Sequence, residues 1–228
     1  TISPDKESSA TLSGLIRAHS DTLTLTTAPS QFYLSRVKWD VAGGSTVQYS
    51  DKYLSVERVL LTSGIQQISV SGTPANGGTL LLNAHNLDVA HLGNIAGFAG
   101  YQPDGRIDAT VSVNDMFGNL RVNANVRAGD VKLGNDTVGN INIVGAYDDR
   151  RKLITIDPQT GIFRDNAAAV ISGTISLDSA TGQRIEGTLR FRDARLAWGA
   201  PFLAGLMSNL KGDINGSVGI SGTIPKPS

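Results

Sequence analysis

The stretch "GRIDATVSV", Gly105 to Val113, alternates without a break. Ile107, Ala109, Val111 and Val113 fall on one side of an extended chain, and Arg106, Asp108, Thr110 and Ser112 on the other. A period of two is that of a β-strand with one wet and one dry face. The dry face has to be covered by a second sheet, a helix, a partner or a lipid, and that choice decides both fold and function.

The same pattern continues on both sides. In "NLRVNANVRA" (119–128), Leu120, Val122, Ala124, Val126 and Ala128 alternate with Asn and Arg. "VGNINIVGAYDDRRKLITI" (138–156) reads as a hairpin turning at Asp148-Asp149-Arg150, and "YLSVERVLL" (53–61) and "QQISVSG" (66–72) read as further strands. About a dozen such runs fit the length. The expected class is all-β.

Composition narrows the function. Gly is 26 of 228 residues, aromatics are 6%, and 20 Lys+Arg balance 20 Asp+Glu. A neutral chain without a clustered basic footprint is a poor partner for nucleic acid. With no Cys, disulfide scaffolds and thiolate zinc sites are excluded. The first residues, "TISPDKESSA", hold no apolar signal core, and the most apolar run, "LAWGAPFLAGLM" (196–207), is 12 residues broken by Pro201, short of the ~20 a membrane span needs. The closing "GTIPKPS" reads as linker, so the chain is expected to be one continuous unit, residues 1–228, of a longer protein.

"GRIDATVSV" has an echo at "GDINGSVGI" (212–220), an offset of 107 that equates Ile107 with Ile214, Val111 with Val218 and Val113 with Ile220. Upstream, "SGT" at 71–73 recurs at 172–174 and "GTLLLNAHNL" (78–87) resembles "GTLRFRDARL" (187–196). The internal repeat thus covers roughly 70–113 and 171–220 and points to an extending array. Each copy is followed by a short helical spacing: Leu92, Ile95, Ala96 and Ala99 after a capping Asp88, and Leu203, Leu206, Met207 and Leu210 between Pro201 and Gly212. These are expected to be two short capping helices, with Phe98, Trp198 and Phe202 as an alternative membrane or partner contact. In "AVISGTISL", Gly173 interrupts the dry side itself, which points to a sharp bend or a close backbone approach.

The block "LLTSGIQQISVSGT", the phrase "LLLNAHNLDVAHLGNI", the run "LRVNANVRAGDVKLGNDTVGNINIVGAYDD" and the closing "APFLAGLMSNLKGDINGSVGISGTIPKP" together resemble the TamB family of the AsmA-like superfamily of bridge-like lipid transfer proteins, most closely its Bacteroidota versions. The resemblance spans roughly residues 50–228. It implies an elongated β-taco, a U-shaped folded sheet with an apolar interior groove and a polar exterior. It also implies a periplasmic location, in a parent chain anchored in the inner membrane and reaching the outer one. Such a protein conducts phospholipid between the membranes and supports outer-membrane protein assembly with a barrel partner.

On that reading the dry face holds acyl chains. A strand of ~8–10 residues spans roughly 27–33 Å, and each buried methylene gains about 0.8 kcal/mol. The residues expected to line the groove are Ile107, Val111, Val113, Leu120, Val122, Val126, Leu189, Phe191, Ile214, Val218 and Ile220. Alternating apolar residues serve equally as an ordinary core. The alternative is therefore a structural or adhesive β-repeat, solenoid-like, with a closed dry interior and no ligand. A carbohydrate-active β-helix fits less well, because sugar-stacking aromatics and a carboxylate pair are missing.

No catalytic or metal constellation stands out, and neither enzyme activity nor a cofactor is expected. His85 and His91, six apart, suit no metal pair and read with His19 as surface or loop residues; Asp148 and Asp149 occupy a turn that favours Asp for backbone reasons. No nucleophile-elbow, phosphate-loop or dinucleotide fingerprint is present. Open sheet ends would favour edge-to-edge pairing of two copies.

Overall fold

The computed structural model describes residues 9–34, 36–75, 77–90, 102–134, 136–178, 183–199 and 211–224. All of its strands belong to one antiparallel sheet of 17 strands. The first six are β1 (Ser9–Thr11), β2 (Gly14–His19), β3 (Thr22–Thr27), β4 (Ser30–Leu34), β5 (Val37–Val41) and β6 (Thr46–Ser50). Then come β7 (Tyr53–Ser63), β8 (Gln66–Gly72), β9 (Thr79–Asp88), β10 (Pro103–Asn114), β11 (Arg121–Leu133) and β12 (Asp136–Asp148). The last five are β13 (Leu153–Ile156), β14 (Gly161–Arg164), β15 (Ala167–Ser176), β16 (Gln183–Arg195) and β17 (Asp213–Ile224).

Four rows of the sheet are made of two short strands in series, so the 17 strands form thirteen rows. β1 pairs with β4 while β2 pairs with β3, and β5 and β6 pair with the two ends of β7. Likewise β13 and β14 both lie between β12 and β15. The breaks lie on one line. The register Val41–Leu61–Ile68–Ala84–Ala109–Val126–Ile143 runs from the break after β5 to the break between β13 and β14. Two residues away runs a second line, Ala124–Gly145–Ile156–Gly173–Gly187–Ile220, rich in small residues. The sheet is creased lengthwise along these lines.

Hydroxyl side chains stitch the crease where strand pairing lapses. Backbone bonds still cross it, from Ala28 N to Ser13 O, Thr27 N to Ser45 O and Asp157 N to Val144 O. Thr27 Oγ1 accepts from Ser45 N at 3.1 Å and donates to Ala42 O at 3.0 Å. Thr160 Oγ1 accepts from Val144 N and donates to Val144 O, both at 2.9 Å. Ser45 and Thr160 are buried, as polar groups that replace lost ladder bonds have to be satisfied away from water.

Gly173 has φ +155°, and a Cβ built on it would lie 2.5 Å from the Gly187 Cα. Of the two roles the sequence allows for it, the close backbone approach is therefore met in full.

Three one-residue bulges share one design. His85–Asn86, Gly129–Asp130 and Arg192–Asp193 each oppose a single residue, respectively Asp108, Asn140 and Asn215. The second bulge residue has positive φ each time: 56° at Asn86, 53° at Asp130 and 46° at Asp193. Its N–H donates to the opposed side chain at 3.0, 3.2 and 2.8 Å. A bulge lets residues three apart share a face, which is how Ala84 with Leu87, Ala128 with Val131 and Phe191 with Ala194 all point to the apolar side. The first and third bulges are 107 residues apart, as are their partners. For β9 and β16 this makes Leu80 the equivalent of Gly187, whereas the shared phrase "GTL" equates Gly78 with it. A common tripeptide misplaces the strand by two residues, because register is set by the bulge and its partner.

The two helical patterns at 92–99 and 203–210 lie outside the described residues. At their entrances, Asp88 Oδ1 accepts from Ala90 N at 2.9 Å, and a 3-10 turn spans Leu196–Gly199. Trp198 on that turn is buried against Val131, Val138 and Ala194; it is a core residue and presents no surface contact. No helix among the described residues is long and apolar enough to cross a membrane.

Candidate functional site: a half-open apolar face

Cross-strand partners share a face, so the register assigns every side chain to one side of the sheet. One side carries polar ladders. Arg106 pairs with Asp88 at 2.6 Å, His85 Nδ1 meets Asp108 at 2.6 Å, Thr110 donates to Asn83 at 3.1 Å and Asn123 to Ser112 at 3.3 Å. Asp108 titrates below the ordinary carboxylate value, first because the Asn86 N–H bonds it and then because of His85. His85 is exposed, as expected, but sits on a strand at a bulge. Among the described residues no group of three or more His, Cys, Asp or Glu is placed to hold a metal ion.

The other side is apolar along the whole sheet, and it is not uniform. A seam runs in register through Leu87, Ile107, Ala128, Ile141, Ile162, Ala169 and Phe191. It links two clusters of buried residues. Trp39, Ala84 and Leu87 form one, with Phe32 stacked on Trp39 at a centroid distance of 6.3 Å. Val131, Val138, Ala194 and Trp198 form the other. Beyond the crease a second stripe runs through Ile16, Leu25, Val47, Val56, then Leu80, Val113, Val122, Tyr147, Ile154, Ile175 and Ile185. Apart from Val56 this stripe is nowhere buried, and Ile16 is 70% exposed.

Ten of the eleven residues expected to line a groove lie on this apolar side by register, and Leu120 directly precedes β11, outside the paired residues. None is buried: ten are half-buried and Val218 is 51% exposed. Ile107 packs against the Trp39 cluster, and Phe191 and Ile214 against the Trp198 cluster. Val111, Val113, Val122, Val126, Leu189, Val218 and Ile220 belong to the open part. Their strands gather the crease and the second stripe into one surface. Ile143, registered with Val126, adds a side chain 52% exposed.

The sequence reading missed one part of this face. A pocket of 620 Å³ opens in the first four rows, lined by Ala10, Leu12, Ile16, Leu25, Phe32, Val41 and Leu61. It spans the crease, with Ile16 and Leu25 on one side and Ala10 and Phe32 on the other. The signal was available in "TLTLTT" (22–27), whose Leu23 and Leu25 alternate with Thr.

The accessible area of 14383 Å² compares with about 9,900 Å² expected for a compact globule of 23.9 kDa. No protein-family model, curated protein or solved structure matches this chain.

Proposed function

We propose that the chain is a lipid-binding segment of a periplasm-spanning, TamB-like protein, whose apolar face conducts phospholipid between the inner and outer membranes. The observation that carries this reading is the state of the ten paired dry-face residues: apolar, in register across many rows, and none of them buried. A closed repeat of this length would seal such residues, because each exposed methylene forfeits about 0.8 kcal/mol. An acyl chain laid along the second stripe recovers that energy and leaves its headgroup in water. No covalent chemistry is involved, and the polar face stays solvated. Support of outer-membrane protein assembly beside a barrel partner follows from the same family resemblance.

The test is photo-crosslinking in the native envelope, with a photoreactive residue at Val122 and a control at Asn123, its neighbour on the polar face. Phospholipid adducts at Val122 alone are expected. A normally folded protein giving adducts at neither position would mean a sealed, ligand-free repeat.

A further inference from the structure

The polar side of the sheet is interrupted at β14. Ile162 belongs to the apolar seam, so the two residues after it stand the wrong way round, Phe163 on the polar side and Arg164 on the apolar one. Phe163 pairs with Ala168 and Ala168 with Arg192; two residues along, Val170 pairs with Arg190. With Pro158 from the turn before β14, these residues line a pocket of 360 Å³. Ala168 is 5% exposed there, on what is otherwise the wet face. The rim is cationic and uncompensated. Arg192 Nε donates to Asn166 O at 2.8 Å, which fixes the side chain and leaves the outer nitrogens of its fork unused. Among the described residues the Arg190 guanidinium makes no hydrogen bond, and neither arginine is in an ion pair. The carboxylates nearest in sequence are engaged elsewhere: Asp157 accepts from Gln159 N at 2.9 Å, Asp165 lies 4.0 Å from Arg164 Nε, and Asp193 accepts from Asn215 Nδ2 at 2.8 Å.

Two unpaired guanidinium forks beside an aromatic and aliphatic wall select an anion that carries an apolar group. The volume is near the lower end of the roughly 300–1,000 Å³ of ligand pockets and suits one or two side chains of a polypeptide. We propose that this pocket docks a partner protein through a short acidic segment. An Asp or Glu carboxylate of the partner meets Arg190 and Arg192, and a neighbouring apolar side chain packs on Phe163 and Val170. The site lies on the face opposite the lipid stripe, so it neither rests on the lipid reading nor competes with it.

The test titrates the full 228-residue chain with acetyl-Phe-Asp-Leu-Glu amide and follows the backbone amide resonances of Phe163 and Val170. The comparison ligands are the uncharged acetyl-Phe-Asn-Leu-Gln amide, the acidic but not apolar acetyl-Gly-Asp-Gly-Glu amide, and decanoate. The unmodified chain should bind the first peptide about tenfold more tightly than either comparison peptide. So should Arg184→Gln, which lies on the same strand and face but outside the pocket. Arg190→Gln/Arg192→Gln should lose the preference for charge with its circular dichroism spectrum unchanged. If the double variant loses its fold, Arg190→Gln decides alone, because that guanidinium has no hydrogen bond to give up. It should weaken binding of the acidic peptide and leave that of the uncharged one unaltered. Equal binding of the charged and uncharged peptides, a preference that survives in the variants, or no shift with any peptide overturns the proposal. Decanoate matching the acidic peptide at the same residues overturns it too, and assigns the pocket to a free fatty acid.

Discussion

Gly173 and Gly187 face each other across β15 and β16 with no room for a side chain between them. Gly173→Ala therefore has to push two strands apart and hold an L-residue at φ +155°, at a cost of about 1–3 kcal/mol. Gly219→Ala, where an added Cβ meets nothing within 4 Å, is expected to be near neutral. Urea denaturation midpoints of the two variants test whether the crease is a tight approach; equal midpoints would refute it.

Charge on the apolar side should be tolerated according to position. Val131 is 4% exposed within the Trp198 cluster, and Val131→Glu is expected to cost several kcal/mol and to unfold the chain. Val122→Glu lies on the open stripe, where a carboxylate can hydrate, so it should fold with a thermal midpoint close to that of Asn123→Glu yet bind no lipid. A melt in which Val122→Glu collapses like Val131→Glu would count against an open face.

Thr160→Val keeps the shape of a crease residue and removes its hydroxyl. The Val144 N–H then loses its acceptor in a buried setting, an expected loss of about 1–3 kcal/mol. Thr160→Ser should restore most of it. A Thr160→Val variant as stable as the unmodified chain beside a destabilised Thr160→Ser would show that the methyl group, and not the hydrogen bond, holds the row together.

Acid should loosen the first bulge. Asp108 is held below its ordinary value of 3.8 in the folded chain, so its contribution is complete above that value and is lost as the pH falls through the lower folded value. Its side chain is largely solvated, which makes the effect small. Thermal midpoints at pH 6 and pH 3 should differ less in Asp108→Asn than in the unmodified chain; an unchanged difference would mean that Asp108 does not fasten Asn86.

Which face each strand dries was legible from alternation alone, since a period of two survives whatever the partners are. Ile107, Val111, Val113 and Val122 needed no structure to be grouped. Of the crease, Gly173 was legible as one point, and the breaks that divide the rows were not. "DPQT" (157–160) has the chemistry of a reversing turn, and Asp157 does accept from Gln159 N at 2.9 Å, yet the chain leaves the turn in its original direction as β14. Local hydrogen bonding is the same for a reversal and for an excursion; only the strands on either side decide. For the same reason Leu12, Ile16 and Phe32 looked unrelated, because the pocket they share exists only once β1 and β2 run in series against β4 and β3. The bulges hid part of the seam as well, by placing Phe191 and Ala194 on one face at a spacing that strict alternation forbids.

The strands of the thirteen rows hydrogen-bond only to their immediate neighbours, while the side-chain clusters reach further, Ala194 and Trp198 packing with Val131 of β11 and Val138 of β12. The matched bulges in β9 and β16 are six rows apart, an even number, and both strands therefore run the same way. Adding or deleting rows two at a time returns the chain to the same lip and keeps every dry side chain on the same side. At a spacing of about 4.8 Å per row, reach can change in increments of roughly 10 Å wherever the added rows fall outside the Trp39 and Trp198 clusters. Span is thus a heritable dimension of this architecture, set by how many hairpins are copied.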